Sequence, residues 1–264
     1  MLLFSIFGNP VAHSISPRLH NATFQAFHLD ACYIRTPILE PSSLMPTFHT
    51  LGLQGANVTV PHKEVAYQTC DEVRGIAKHI GAVNTLIKEG SKIIGYNTDA
   101  GGFYQAISPW KDIQKVLILG AGGTAKAIAM ILKEHGIHVT VLNRSLSRLA
   151  FFEEHQFQCY SWENFTPQPY DLVVNTTSAG LKDEELPCPT SLLHPILQEA
   201  RFAFDVIYNK QTPFLKEALK YHLSCQDGAK MLLYQAVLAF NLFCDNRFEE
   251  AKICSVMEPI LHLS

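Results

Sequence analysis

Apolar positions along the chain fall into short runs alternating with stretches of helical spacing, a pattern that predicts an α/β protein. Residues 3–7 predict a first strand, closed by Gly8-Asn9-Pro10. A polar loop, Val11 to Ser16, then meets Pro17. Proline at a first helical position behind a serine predicts a helix start, with Leu19, Ala22, Phe24, Ala26 and Phe27 as its apolar side. Next come a strand over 31–36, a helix over 41–51 interrupted by Pro46, and a strand-like run from Gly55 to Pro61. Pro61 opens a helix, which places Lys63 in its first turn. A helix over 71–80, a strand following Gly81, a turn at Glu89-Gly90-Ser91 and a strand over 92–96 lead to Asp99, where another helix begins.

The densest signal lies between Lys115 and Arg148. The apolar run 116–119 is too short for a helix and breaks at Gly120-Ala121-Gly122-Gly123-Thr124-Ala125, the G-x-G-x-x-G/A order of a dinucleotide fingerprint. Glycines there allow a tight turn and a close approach of backbone to a pyrophosphate at the N-terminus of the following helix. Ile128, Ile131 and Leu132 recur at helical spacing, Gly136 closes the helix, and 138–142 form the second strand. Where an NAD-binding unit carries an acid for the ribose hydroxyl, this chain has Asn143-Arg144-Ser145, with Arg148 beyond. A guanidinium pairs with a 2′-phosphate through charge-assisted bonds, so NADP(H) is expected.

Further on, strand 170–174 runs into the polar turn Asn175-Thr176-Thr177-Ser178-Ala179-Gly180, which could border a cofactor. Strand 202–208 precedes Thr212-Pro213 and a helix to about Tyr221, and the chain is helical from Asp227. Strands alternating with helices over 99–227 predict a doubly wound parallel sheet. Met231, Leu232, Leu238, Ala239 and Leu242 share a helical face with Gln235 in its middle, a polar group that needs partners from backbone or ligand.

Composition narrows the classes. The 264 residues, 47% apolar and 17% charged, are ordinary for one or two globular domains. A net charge of −3 without a basic run speaks against nucleic acid. Seven scattered cysteines without a C-x-x-C pair or zinc spacing predict reduced thiols in a cytoplasmic protein with no metal. The apolar start is too short for a signal peptide, and no run reaches a membrane span.

Several polar residues are candidates for chemistry. Ser16 is a natural N-cap, whereas Ser14 has no such local role; two hydroxyls beside a helix N-terminus can cradle a small carboxylate. Lys63 faces the positive end of a helix dipole, which disfavours its charged form by up to about 1 kcal/mol and suits general acid–base work. Asp99 is a first-turn charge or cap by default, and Asn84 and Thr98 are turn residues unless the fold brings them together.

Gly8-Asn9-Pro10, His13-Ser14-Ile15-Ser16-Pro17, Asn57-Val58-Thr59-Val60-Pro61-His62-Lys63, Gly81-Ala82-Val83-Asn84-Thr85, Gly95-Tyr96-Asn97-Thr98-Asp99 and Gly120-Ala121-Gly122-Gly123 occur in this order. Together they resemble the shikimate dehydrogenase family, and the likeness extends through Gln235. The resemblance implies an α/β substrate domain over 1–98 plus 228–264, with a Rossmann-like NADP-binding domain over 99–227. It implies an oxidoreductase acting on a CH–OH group, reducing 3-dehydroshikimate reversibly to shikimate with NADPH on the way to chorismate and aromatic amino acids, as a monomer or homodimer. By the same resemblance Ser14 and Ser16 hold the substrate carboxylate. Thr59, Lys63, Asn84, Asp99, Tyr208 and Gln235 surround the ring, and Lys63 and Asp99 are the catalytic pair. Gly120, Ala121, Gly122, Gly123 and Thr124 take the pyrophosphate, Asn143, Arg144, Ser145 and Arg148 the phosphorylated ribose, and Val206 and Gly228 the nicotinamide. The chain departs from many relatives in having Val206 for methionine and Lys230 for glycine. Rival readings are an NAD-dependent quinate/shikimate dehydrogenase, a non-catalytic ligand sensor on the same scaffold, and a folate dehydrogenase of similar layout.

Overall fold

The short apolar runs become strands, and these sort into two six-stranded sheets. The computed structural model describes residues 1–262. Its contacts divide the chain into two units, Met1–Phe103 with Leu232–Ser264, and Tyr104–Met231. The first stretch comprises β1 (Leu2–Gly8), α1 (Ser16–Ala26), β2 (Ala31–Pro37), α2 (Leu44–Thr50), β3 (Gly55–Val58), α3 (Lys63–Thr69), β4 (Glu72–Val73), α4 (Ala77–Ile80), β5 (Thr85–Glu89), β6 (Lys92–Tyr96) and α5 (Thr98–Ile107). The second holds β7 (Lys115–Leu119), α6 (Gly123–Glu134), β8 (His138–Asn143), α7 (Ala150–Glu154), β9 (Gln158–Ser161), β10 (Leu172–Asn175), α8 (Thr190–Glu199), β11 (Phe202–Asp205), α9 (Pro213–Lys220) and β12 (Ser224–Gln226). Helices α10 (Ala229–Phe243) and α11 (Glu250–Met257) follow, and a 3-10 helix, Glu258–His262, is the last described element.

In the first unit the order is β2-β1-β3-β5-β6-β4. Strands β1, β2 and β3 are parallel, β5 runs against β3, and β6 runs against β5. The carboxyl ends of β1, β3 and β6 and the start of β5 therefore share one edge. Successive β1 side chains enter opposite faces. Phe4 and Ile6 join Phe24, Tyr33, Phe240, Phe243 and Ile253 on one side, while Phe7 joins Leu44, Phe48, Val58 and Leu86 on the other. Each fully buried side chain of this size contributes about 1.5–3 kcal/mol.

The second unit has the order β12-β11-β10-β7-β8-β9, and every neighbouring pair is parallel. The order reverses between β7 and β10, the switch point at which open α/β sheets bind ligands.

Several expectations need correction. The helix expected over 71–80 is a two-residue strand and the one-turn α4, because Gly75 at φ +60° breaks the run and the Asp71 carboxylate accepts from the Ile93 backbone. Over 41–51 a 3-10 turn at Pro41–Ser43 precedes α2, and Pro46 sits in the first turn of that helix, where a missing N–H costs little. Strands 170–174 and 202–208 are shorter than expected, at Leu172–Asn175 and Phe202–Asp205. The core face of α10 is centred on Leu233, Ala236, Val237 and Phe240; of the stripe inferred around Gln235, Ala239 is in this core and Leu242 packs against it, while Met231, Leu232 and Leu238 are not part of it.

Candidate active site

In the first unit the loops at the shared sheet edge carry the candidate side chains. Lys63 is the first residue of α3, with His62 at the N-cap making no side-chain cap hydrogen bond. His62 is itself anchored by its Nε2 on the Ile38 carbonyl at 2.7 Å. Asp99 lies in the first turn of α5, and its Oδ2 meets Lys63 Nζ at 2.5 Å. The pair keeps 20% and 13% of its side-chain surface, sheltered but reachable. Asn84, just before β5, donates from Nδ2 to Asp99 Oδ1 at 2.9 Å and to the Thr98 hydroxyl at 3.0 Å. Both carboxylate oxygens of Asp99 are thus held, one by an ammonium and one by an amide. Residues that local reading makes turn formers converge because β5 and β6 pair Thr85 with Tyr96.

Ser14 and Ser16 also meet, Oγ to Oγ at 3.2 Å. Ser16 is not the N-cap; Ile15 holds that position, and Ser16 opens α1, its backbone N–H donating to Ser14 Oγ at 3.3 Å. The Arg35 guanidinium, from the adjacent β2, donates twice to the Ser14 carbonyl at 3.1 and 2.7 Å. Thr59 follows β3 with its N–H on the Phe7 carbonyl, and a Cβ at Gly8 would collide with its methyl group. Gln235 spends a donor on the Leu232 carbonyl of its own helix at 2.9 Å.

In the second unit a cavity of about 380 Å³ opens at the switch point. It is lined by Gly120, Ala121 and Gly122 after β7, by Asn143, Arg144, Ser145 and Arg148 after β8, and by the 176–179 turn after β10. Gly120 has φ +104°, and a Cβ there would stand 2.7 Å from the Thr176 hydroxyl. Beyond it Gly122 and Gly123 border open space, so the backbone at the start of α6 is bare. Among the described residues no carboxylate pairs with Arg144 or Arg148, and both are exposed. The nearby Asp183 carboxylate is turned onto the Gly180 and Glu185 backbone N–H groups, which hold it below the usual range. Bare amides at a helix start and two uncommitted guanidiniums suit a pyrophosphate and a phosphorylated ribose, so these residues fit NADP(H). Thr124 lies in the first turn of α6. Val206 and Gly228 come together, since a Cβ on Gly228 would overlap the Val206 carbonyl. Tyr208 is half-buried, and burial pushes its phenol up.

The shikimate dehydrogenase substrate binding domain profile matches residues 6–86, and the shikimate / quinate 5-dehydrogenase profile matches residues 105–179. A curated relative from Helicobacter hepaticus, named shikimate dehydrogenase (NADP(+)), is 47% identical over 98% of both chains. The chain belongs to the shikimate dehydrogenase family. A Helicobacter pylori shikimate dehydrogenase (NADP(+)) is 44% identical over 97% of this chain and 98% of its own. A solved shikimate 5-dehydrogenase from Thermus thermophilus, in complex with NADP(H) and shikimate, superposes with a TM-score of 0.86 at 33% identity, covering 98% and 99% of the two chains.

Within this family frame, the sequence reading gives no role to Asn57, Thr85 or Asp205. Asn57 and Thr85 are buried polar groups within strands β3 and β5, and a polar residue inside an otherwise apolar run is the signal that could have found them. Asp205 is wholly buried at the end of β11, where it accepts from Asn175, the Thr212 hydroxyl and the Ile207 N–H. Burial raises its carboxyl despite these donors. Lys230, the departure noted in the sequence, is exposed, and nothing in the structure explains it.

Proposed function

We propose that this chain catalyses the reversible, NADPH-dependent reduction of 3-dehydroshikimate to shikimate, with the substrate held by a domain of residues 1–98 plus 228–264 and NADP by residues 99–227. The carrying observation is the Lys63–Asp99 contact at 2.5 Å, braced by Asn84, in a chain 47% identical to an NADP-linked shikimate dehydrogenase. NADPH, when bound, supplies the hydride that turns the ketone into an alcohol. The oxygen that gains charge needs a proton, and Lys63 Nζ is the donor, returning it in the reverse direction. Asp99 holds the ammonium in place and offsets its desolvation. Ser14 and Ser16, drawn together by their hydroxyls and fixed by Arg35, receive the ring carboxylate. Thr59, Asn84, Tyr208 and Gln235 offer hydrogen bonds to the ring oxygens.

For the cofactor, residues 120–124 take the pyrophosphate on backbone amides, Asn143, Arg144, Ser145 and Arg148 the ribose phosphate, and Val206 and Gly228 the nicotinamide. The cytoplasm is the matching compartment: all seven cysteines are unbridged, and no helix among the described residues is long and apolar enough to cross a membrane. Following NADPH absorbance during shikimate oxidation, with NADP and NAD and with quinate as second substrate, tests the reading. Fast turnover of shikimate with NADP alone supports it, and preference for quinate with NAD replaces it. Light scattering on the same sample decides between monomer and homodimer.

A further inference from the structure

A buried line of hydrogen bonds leaves the Lys63–Asp99 pair and runs through the first unit to β2. Its direction is fixed by chemistry. Asn84 Oδ1 accepts from the Thr98 backbone N–H at 2.8 Å, which turns its amide nitrogen toward Asp99. The Thr85 hydroxyl also donates to Asn84 Oδ1, at 3.0 Å, so its oxygen is left to accept from Asn57 Nδ2 at 3.0 Å. Asn57 Oδ1 then accepts from the Tyr33 phenol at 2.7 Å. Every group donates the same way, from Tyr33 through Asn57, Thr85 and Asn84 to the Asp99 carboxylate.

Tyr33, Asn57, Asn84 and Thr85 are 2%, 6%, 3% and 0% exposed, so no solvent replaces a missing member. Aligned bonds in such a medium polarise and strengthen one another. The far end is clamped. The Asn21 carboxamide bonds the Tyr33 backbone N–H and carbonyl, each at 2.8 Å, and the His20 ring lies flat on the Tyr33 ring at 4.5 Å and 7°. Burial keeps the phenol protonated and hence a donor.

We propose that Tyr33 is a positioning residue for the Lys63–Asp99 pair, acting through Asn57, Thr85 and Asn84 on the orientation of the Asp99 carboxylate. It touches neither substrate nor cofactor. Removing its hydroxyl leaves Asn57 Oδ1 without a donor in a dry site, so the Asn57 carboxamide is held only by its amide nitrogen on Thr85 and the Asn84 carbonyl, and its shifted position weakens the bond to Thr85. The kinetic consequence rests on the function proposed above; the structural consequence does not.

The test uses Tyr33→Phe, which keeps the ring stack, and Thr85→Val, which keeps the shape of the middle member. Side-chain amide NMR of the ligand-free full-length protein reads the line directly: the Asn84 NH₂ resonances shift in both variants. In shikimate oxidation kcat falls roughly 3–10-fold in each, the scale of a buried acceptor left unpaired, with the KM for NADP unchanged. The double variant is no slower than Thr85→Val alone, because both cut one line. Unmoved Asn84 resonances, a kcat within about 1.5-fold of the parent, on the same energy scale, or additive losses overturn the proposal, even if Tyr33→Phe lowers the melting temperature. If the parent protein does not oxidise shikimate, the functional reading falls and the amide spectra alone decide the role of Tyr33.

Discussion

At the residue scale, Lys63 is the side chain whose replacement separates proton transfer from binding. Lys63→Ala is expected to lower kcat about 10²–10⁴-fold, the usual worth of general acid–base catalysis, with a smaller change in KM; retained kcat with weakened substrate binding removes the acid–base role. Arg144→Asp replaces an uncommitted guanidinium on the cavity wall by a like charge to phosphate. It is expected to weaken NADP roughly 10–100-fold, the range of a lost charge-assisted bond, while NAD binding changes little. Equal losses, measured by titration, refute the phosphate assignment. His20 is wholly buried among Tyr33, Phe24, Phe240 and Phe243, both ring nitrogens lack partners, and burial lowers its imidazole to about 3. Its folded value lies below the ordinary 6.5, so protons bind the unfolded chain preferentially, and stability is full above about 6.5 and falls as pH drops toward 3. The slope approaches ~1.4 kcal/mol per pH unit. His20→Phe keeps the stack and removes the titration, so thermal melts between about pH 7 and about pH 5 shift less in the variant.

At the scale of elements, the buried Asp205 knot shows how a cap doubles as a partner. Thr212 Oγ1 donates to Asp205 at 2.7 Å and accepts from the Leu215 N–H at 3.3 Å to cap α9. Thr212→Ala loses the cap and a donor to a buried carboxylate, a loss of about 2–4 kcal/mol from the two terms together. Thr212→Ser recovers most of it in a denaturant melt. The Thr212-Pro213 start was legible because its signals are local, as was the whole strand–glycine–helix–strand run from β7 to β8. The convergence of Asn84, Thr98 and Asp99 was not, since it depends on the β5–β6 register, and locally these are turn residues. The helix expected over 71–80 failed where Asp71 and Arg74 bond the distant β6 residues Ile93 and Gly95. The face of α10 was only partly legible: Ala239 and Leu242 of the inferred stripe meet the core, but hydrophobic spacing alone did not reveal that its centre, Leu233, Ala236, Val237 and Phe240, meets the aromatic rings of α1 and β1. Family motifs, by contrast, named the candidate residues without locating them.

At the scale of the whole molecule, the chain leaves the first unit within α5 and returns within α10, so one unit is contiguous and the other is made of two distant pieces. Ligands are expected to protect the two separately in hydrogen exchange. NADP alone slows amides around 118–126 and 143–149, and shikimate alone slows those around 14–19, 59–66 and 97–103, the segments that carry the groups assigned above. Protection in the opposite pattern reverses the domain roles. During synthesis the two-piece unit has a further consequence. Phe4 stacks on Phe24 and Tyr33 on His20, but the rings that complete their cover, Phe240 and Phe243, lie on α10. A nascent polypeptide emerging from the ribosome completes its contiguous second unit first, while its opening hundred residues wait with aromatic surface uncovered until α10 and α11 arrive. Chaperone capture of stalled chains lacking the C-terminal helices is the signature of that delay.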